Sequence, residues 1–521
     1  MDISKIYPEL DKDKDKISTV NKEVLLRILK DNADTEIGRR YGFGDISSEE
    51  EYRKNLPVSH YKDYASYIQR MEKGEKNLIT SYDIFAMLET SGSTDEGKLI
   101  PITNEAFKRY GNVMDRYLQQ HVKDNSGKRL FISFLLTDLN KDVGKLETML
   151  YTASYYRYLY EAGLIGTETL AGEKETNFFP RTCDYMYAKL WTAFASEDIS
   201  SMESVYLYDF LIFFQHLEND YDIILNDMER GRVSPDIDLP ESVKHSLEKM
   251  EISAERIEKI RSECSKGFID IVPRLWKNVS LISGIGSKAF QTEEISIKKY
   301  IGDISIWHYI YAGSECMMAV PAGISTYDYI LYPGTAYYEF YSEEDKRIYG
   351  PEELEEGKSY EIIVTTFSGF YRYVMGDVLK VTGFYGRLPK LRFLSRRNLV
   401  MNIAGEKLAL DKLDRAMRHL SSETGLGIWQ YFFYEDYSRV PAFYHGVVAF
   451  DDDIRVNAEE LENSFDNILK DLSKDYAELR DLGFINKVVL EFVNKDNFME
   501  KKNERAGQGG QPKPLHIMRV K

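Results

Sequence analysis

Apolar residues recur at helical spacing through the first eighty positions. Val20, Val24, Leu25, Ile28 and Leu29 form one such stripe within Val20–Lys30, which predicts amphipathic helices there. Further on, short apolar runs alternate with longer helical stretches. The pattern predicts strands at Asp83–Leu88 and Leu99–Ile102, separated by a polar loop. It predicts one helix from Phe107 to Val122 and a long helix from Ser204 to Arg230, stopped by Gly231. Leu281–Gly286 reads as a strand running into a glycine turn. Tyr327–Leu331, Tyr337–Phe340 and Tyr360–Thr366 read as further strands. Helices alternating with strands in this way argue an α/β fold.

The character changes at Arg396–Arg397. A helix is expected from Ala409 to Leu420, then strands at Trp429–Phe433 and Phe443–Phe450. A charged helix from Ala458 to Leu482 and a strand at Lys487–Phe492 follow. The Gly/Lys/Gln-rich stretch 501–511 reads as a mobile loop. The expected organisation is a large α/β domain over 1–396 and a small, mobile α+β domain over 397–521, roughly 120 residues and within the usual domain range.

Composition narrows the function. The chain has 521 residues, 43% of them hydrophobic and 13% aromatic, with 38 tyrosines. That is too long for a single core. Its 85 acidic against 68 basic residues give a net charge of −17, which argues against a nucleic-acid or anionic-membrane partner, since both need a basic face. Cys183, Cys264 and Cys316 are scattered, so neither a disulfide framework nor a zinc site is expected. The charged N-terminal stretch lacks an apolar signal region, and Phe210–Phe214 is too short to span a bilayer. A reducing cytoplasm is the expected location.

Leu88–Lys98 carries the first candidate chemistry. Its sequence is Leu-Glu-Thr-Ser-Gly-Ser-Thr-Asp-Glu-Gly-Lys. Glycines let a backbone approach an anion, hydroxyls donate hydrogen bonds and a lysine adds charge. Gly92-x4-Gly97-Lys98 starts like a Walker loop, but Leu99 replaces the magnesium-binding hydroxyl and Pro101 stands where a helix would begin. A Ser/Thr/Gly loop between two strands fits acyl-adenylate-forming enzymes. A plain surface turn fits the same residues.

Three weaker constellations follow. In Tyr371–Phe384, Gly376-Asp377 ends one strand before another begins, and an aspartate there can accept hydrogen bonds from both ribose hydroxyls. An ordinary hairpin turn reads the same way. In Tyr311-Ala312-Gly313-Ser314-Glu315, small residues allow close approach and the carboxylate can take Mg2+, or the segment is a capped turn before a helix. Gly507–Pro514 holds Lys513 in a Gly/Pro-rich tail, either a swinging point charge or a disordered end. No Gly-x-Ser-x-Gly elbow and no dinucleotide fingerprint is present.

Taken in order, the loop, the Ser-Glu turn, the Gly-Asp corner, the basic hinge and the late lysine resemble an adenylate-forming enzyme. More specifically, the chain resembles the auxin-responsive acyl acid amido synthetases of the Gretchen Hagen family, as a microbial-type member. The resemblance rests on Leu56–Tyr64 with Tyr67–Gly74, on Tyr329–Pro333 with Ala336–Phe340, on Tyr371–Phe384 and on Gln511–Pro514. Two departures stand out: Asp95-Glu96 in the phosphate loop, and Lys513 followed directly by Pro514.

The resemblance implies two half-reactions with ATP and Mg2+. A carboxylic acid becomes an acyl-adenylate, and an amine, expected to be that of an amino acid, then displaces AMP. It implies that Thr90, Ser91, Gly92, Ser93, Thr94 and Gly97 cradle phosphates with Lys98, and that Ser314 lines the nucleotide. Glu315 holds Mg2+, Tyr337 and Tyr338 stack on adenine, Asp377 fixes the ribose, Arg396 binds the cofactor at the hinge and Lys513 neutralises the transition state. The acid pocket is expected between the Phe107–Val122 helix and the Gly284–Gly286 turn. An acyl-CoA ligase using the same adenylation, and an inactive nucleotide-binding sensor, are the alternatives.

Overall fold

A computed structural model describes the chain except residues 1, 90–98, 114–115, 133–141, 144–145, 150, 165–168, 178, 180–183, 286–290, 397–399, 402, 404–407, 437, 440, 451–455, 482–484 and 507–521. Among the described residues the largest sheet has eight antiparallel strands. In spatial order they are Arg347–Tyr349, Ala336–Ser342, Ser359–Thr366, Tyr373–Tyr385, Leu388–Arg396, Asp328–Leu331, Met317–Pro321 and Tyr311–Ala312. Ser359–Thr366 is buried from its second residue onward, with Ile362-Ile363-Val364 at its middle, as befits a central strand.

The N-terminal helices cover this sheet. Ile17–Asp31 buries Val24, Leu25, Ile28 and Leu29, the stripe legible in the sequence. Asn21 on the same face is buried too, and its amide has a specific partner. Its Oδ1 accepts from the Tyr338 backbone N–H at 2.8 Å and its Nδ2 donates to the Tyr338 carbonyl at 3.0 Å. A side-chain amide thus satisfies an open stretch of strand edge that would otherwise bury unpaired backbone groups.

A second sheet is parallel: Lys128–Phe131, Ile199–Tyr206, Leu281–Ile285 and Ser305–His308, in that order. Leu281 and Trp307 belong to the core shared with the large antiparallel sheet. Ile282 and Ile306 belong to a second core with Trp191, Phe210, Phe214 and Trp276 from the covering helices. Arg129 and Glu203 cross-link neighbouring strands through two hydrogen bonds of 2.9 and 2.6 Å, both side chains being buried.

Two predicted helices differ here. The expected Ser204–Arg230 helix starts at Leu207, because Ile199–Tyr206 is a strand. Ser204 donates to Asp209 at 2.5 Å and so ties the strand end to the first helical turn. The expected Phe107–Val122 helix is two helices, Asn104–Tyr110 and Arg116–Asn125. Gly111, at φ +51°, ends the first, and a left-handed residue cannot continue a right-handed helix.

Beyond residue 400 a separate hydrophobic core forms from Met417, Phe433, Phe465, Tyr476 and their neighbours. The strands Ile428–Asp436, Phe443–Phe450 and Val489–Val493 carry the helices Leu410–Thr424 and Ala458–Leu472. The expected Ala458–Leu482 helix breaks at Ser473, whose backbone is extended (φ −140°, ψ 102°). Part of the expected mobile loop is the helix Lys495–Ala506. Phe498 anchors it against Trp429 and Phe432, an apolar contact that overrides a polar composition.

Candidate functional site

Three segments distant in sequence converge. Ile84–Glu89 and Leu99–Thr103 pair antiparallel with Glu89 opposite Leu99, so the two ends that the polar segment joins lie side by side. Thr90, Ser91, Gly92, Ser93, Thr94, Gly97 and Lys98 lie outside the described residues. The Leu99 end of the strand pair is held by Tyr61. Its hydroxyl accepts from the Leu99 N–H at 3.2 Å and donates to the Leu99 carbonyl at 3.3 Å.

The same segment reaches the second motif. Ser59 N–H donates to the Arg372 carbonyl and Val374 N–H donates to the Ser59 carbonyl, each at 2.9 Å. Tyr64 Oη accepts from Tyr371 N–H at 2.8 Å. Leu56–Tyr64 therefore ties the hairpin to the strand that carries Asp377. The roles of Tyr61 and Ser59 were not read from the sequence, because a tyrosine that binds backbone leaves no periodic signal.

Asp377 sits on a bulge. Ile363 pairs with Val374 and Glu361 with Val378, so Met375, Gly376 and Asp377 stand against Ile362 alone. Gly376 adopts φ +80°. The expected strand break is thus a bulge within one strand, Tyr373–Tyr385. A bulge re-aims a side chain while the ladder continues. Arg396 is the cross-strand partner of Asp377.

The Tyr311–Glu315 segment packs against that bulge. It is a hairpin turn between two strands, closed by Gly313 N–H to the Cys316 carbonyl at 3.0 Å, so no helix follows it. Tyr311 Oη donates to Asp377 Oδ2 at 2.7 Å. A Cβ on Gly313 would lie 2.7 Å from Met375 Cε and 2.9 Å from Glu315 Oε2, so a side chain there would push aside the ends of both. Ser314 is half-buried in the same turn.

Glu315 is 7% exposed. Among the described residues no hydrogen-bond donor or cation pairs with its carboxylate. A buried carboxylate is costly unless paired or bound to a cation, so this position fits a metal-held nucleotide. Among the described residues no group of three His, Cys, Asp or Glu side chains could hold a metal. Any ion at Glu315 would therefore draw its remaining oxygens from ligand and water. Cys264 and Cys316 are buried free thiols, and burial pushes both upward in pKa.

The role expected of Tyr337 and Tyr338 needs correction. Both are 0% exposed. Tyr337 Oη accepts from Arg53 at 3.2 Å and its ring meets Tyr52 edge-on. Tyr338 Oη shares a 2.7 Å hydrogen bond with Thr335 and donates to the Tyr332 carbonyl at 3.0 Å. Neither ring offers a face to adenine. They sit instead beside a buried ion cluster in which Arg372 donates to both Glu339 oxygens at 3.0 and 3.1 Å, and Arg53 donates to the same carboxylate at 3.0 Å. Arg372 itself takes φ +49°, a conformation that an arginine gives no reason to expect. Lys513 lies outside the described residues.

The elements expected to flank the acid pocket lie close together. Helix Arg116–Asn125 brings Tyr117 to within 4.9 Å of Trp307, on the strand beside Gly284; Gly286 lies outside the described residues. No helix among the described residues is long and apolar enough to cross a membrane.

A large antiparallel sheet joined to a helix-covered parallel sheet, with a small α+β unit after them, is the architecture of acyl-adenylate-forming enzymes. The fold matches a 2-hydroxyisobutyryl-CoA ligase in its postadenylation state, with a TM-score of 0.55 and 12% identity, over 97% of this chain and 90% of that one. It matches the AtGH3.15 acyl acid amido synthetase in complex with 2,4-DB with a TM-score of 0.86 and 24% identity, over 99% of this chain and 94% of that one. The chain belongs to the GH3 family. Models of its N-terminal, central and C-terminal domains match residues 7–306, 329–396 and 411–521. Among curated relatives, the indole-3-acetic acid-amido synthetase GH3.17 of Arabidopsis thaliana is 27% identical over 474 residues, 82% of this chain and 77% of that protein.

Proposed function

We propose that the chain is an ATP-dependent acyl acid amido synthetase. A carboxylate oxygen bonds to the α-phosphorus of ATP as pyrophosphate leaves. An amine nitrogen, that of an amino acid, then bonds to the acyl carbon as AMP leaves and the nitrogen gives up a proton. The observation that carries the reading is the unpaired buried Glu315 beside the Tyr311–Asp377 pair, in a chain of the GH3 family.

Roles follow from chemistry. Free carboxylates are poor acyl donors, so the protein's work is to position reactants and spread charge at phosphorus. Thr90, Ser91, Gly92, Ser93, Thr94 and Gly97, in the segment that joins the paired strands, hold the phosphates with Lys98. Asp377 accepts the ribose hydroxyls, oriented by Tyr311 and faced across the strand pair by Arg396. Ser314 lines the nucleotide and Glu315 would hold Mg2+. That ion supplies charge neutralisation at the phosphate oxygens when bound. Lys513, carried on a C-terminal domain of residues 397–521 that moves against 1–396, reaches the α-phosphate when the domains close.

The test is the product. Incubation with a carboxylate library, ATP, Mg2+, the amino acids and coenzyme A is expected to yield an amide by mass spectrometry. A thioester without any amide would assign the ligase reading instead. Nucleotide binding without any product would assign the sensor.

A further inference from the structure

We propose that Tyr61 is a positioning residue for adenylation: its hydroxyl sets the backbone on which Lys98 and the phosphate-holding residues are carried, and with Tyr64 it fixes that backbone relative to the Asp377 bulge. The proposal rests on the amido synthetase reading above and adds a residue to that site. In the sheet that Leu99–Thr103 forms with Ile84–Glu89, Leu99–Thr103 is the outer strand among the described residues. Tyr61 Oη accepts from the Leu99 N–H at 3.2 Å and donates to the Leu99 carbonyl at 3.3 Å. One hydroxyl thus holds both backbone groups of the residue that follows Lys98 in the chain.

Tyr64 repeats the arrangement three residues on. Its hydroxyl accepts from the Tyr371 N–H at 2.8 Å and donates to the Tyr371 carbonyl at 3.0 Å. Tyr371 opens the run that leads to Gly376 and Asp377. The two tyrosines stand at either end of a single 3-10 turn, Tyr61–Asp63, with Tyr64 as its cap. In that geometry residues three apart lie one above the other. The turn is closed by His60 N–H to Asp63 Oδ2 at 2.8 Å and by Tyr64 N–H to the Tyr61 carbonyl at 2.9 Å. Tyr64 is buried, its ring against Phe370 at 4.9 Å.

A short turn with a two-point grip at each end is a brace. One end holds the strand that starts at the triphosphate, and the other holds the strand that carries the ribose partner. ATP has to span those two places with its α-phosphorus open to the carboxylate. A misplacement of about 1 Å costs roughly a hundredfold in rate, so the distance between the two grips matters to the reaction and not only to the fold. Covering a strand edge is the plainer use of such a hydroxyl, and the experiment separates the two.

The test uses the full chain and calorimetric titration with ATP in Mg2+ and with AMP, which lacks the two outer phosphates. Tyr61→Phe keeps the ring and removes the grip on Leu99. Its Kd for ATP should rise about tenfold, the worth of one hydrogen bond, while its Kd for AMP stays within twofold. Tyr64→Phe loosens the ribose side and should weaken both nucleotides alike. Thr103→Val is the structural control. Thr103 caps the helix Asn104–Tyr110 and donates to the Phe367 carbonyl at 3.2 Å, at the far end of the same strand. Its loss should lower Tm and leave both Kd values unchanged. A Tyr61→Phe protein that behaves like this control, with lower Tm and an unaltered ratio of the two Kd values, would reduce Tyr61 to edge cover and overturn the proposal. Wild type that shows no acid-dependent pyrophosphate exchange would instead remove the amido synthetase reading, and the brace would fall with it.

Discussion

Tyr311 and Asp377 are 66 residues apart in the chain, yet the tyrosine hydroxyl donates to the carboxylate at 2.7 Å. The bond joins the Ser-Glu turn to the Gly-Asp bulge, and through it two motifs that read separately in the sequence become one surface. Tyr311→Phe leaves the ring and removes the donor. The expected result is a KM for ATP raised about tenfold, matching one hydrogen bond to a charged group, with Tm little changed. Asp377→Ala should raise it further. Steady-state kinetics at saturating acid measure both. An unchanged KM in Tyr311→Phe would show that the bond orients nothing.

A side chain at Gly313 would meet the ends of two others. An added methyl meets Met375 Cε at 2.7 Å and Glu315 Oε2 at 2.9 Å. Gly313→Ala should therefore displace the Glu315 carboxylate. The cost in stability should be small, because both atoms met are the ends of flexible side chains. Because the carboxylate moves, the concentration of Mg2+ needed for half-maximal exchange should also rise, which a stability defect alone would not produce. Titrating Mg2+ at fixed ATP checks it.

Arg372 is the hub of the buried cluster behind the bulge. It makes two bonds to Glu339 and donates to the Leu56 carbonyl at 2.6 Å. Arg372→Met leaves a buried carboxylate with only Arg53 for company, and breaking such a pair costs about 3–5 kcal/mol. The low end is expected, since Arg53 remains. Adding Glu339→Gln should recover part of the loss in urea denaturation. A single variant as stable as wild type would mean that the cluster holds nothing in place.

His308 should make the fold acid-sensitive. It is 1% exposed, stacked on Tyr327 and 3.8 Å from Glu294. Burial is the main influence and holds its pKa at about 4, against an ordinary 6.5, while Glu294 opposes the shift. The unfolded chain binds a proton below 6.5 that the folded one refuses until about 4. Stability from this group is therefore complete above 6.5 and is lost as pH falls towards 4, up to about 3 kcal/mol. His308→Gln should flatten the denaturation midpoint across that window. An unaltered slope would show that His308 charges freely in the fold.

Much of this was legible in the sequence, for identifiable reasons. The stripe Val24–Leu29, the two strands around the polar segment and the strand read at Tyr360–Thr366 are pattern signals, and the strands appear within a residue of the expected bounds. The Gly376-Asp377 irregularity was legible because glycine marks backbone that others cannot adopt, but a bulge and a strand end look alike in one dimension. Helix breaks at Gly111 and Ser473 were missed because apolar spacing continues across them. Tyr337 and Tyr338 misled for a physical reason: alternation shows that a residue lies in a strand, not whether its ring meets solvent, ligand or another tyrosine. Tyr61, Ser59 and Asn21 act through backbone groups far along the chain, which no local pattern records.

The central claim is that this chain joins a carboxylic acid to AMP. Exchange of labelled pyrophosphate into ATP measures that step alone, before any acceptor is chosen. Signal is expected only when a suitable carboxylic acid and Mg2+ are both present. It should fall about a hundred- to a thousand-fold in Lys513→Ala, the usual cost of losing one charge contact at a transition state, while the folded fraction stays constant. Exchange absent across a broad carboxylate library, from protein that binds ATP, would contradict the account.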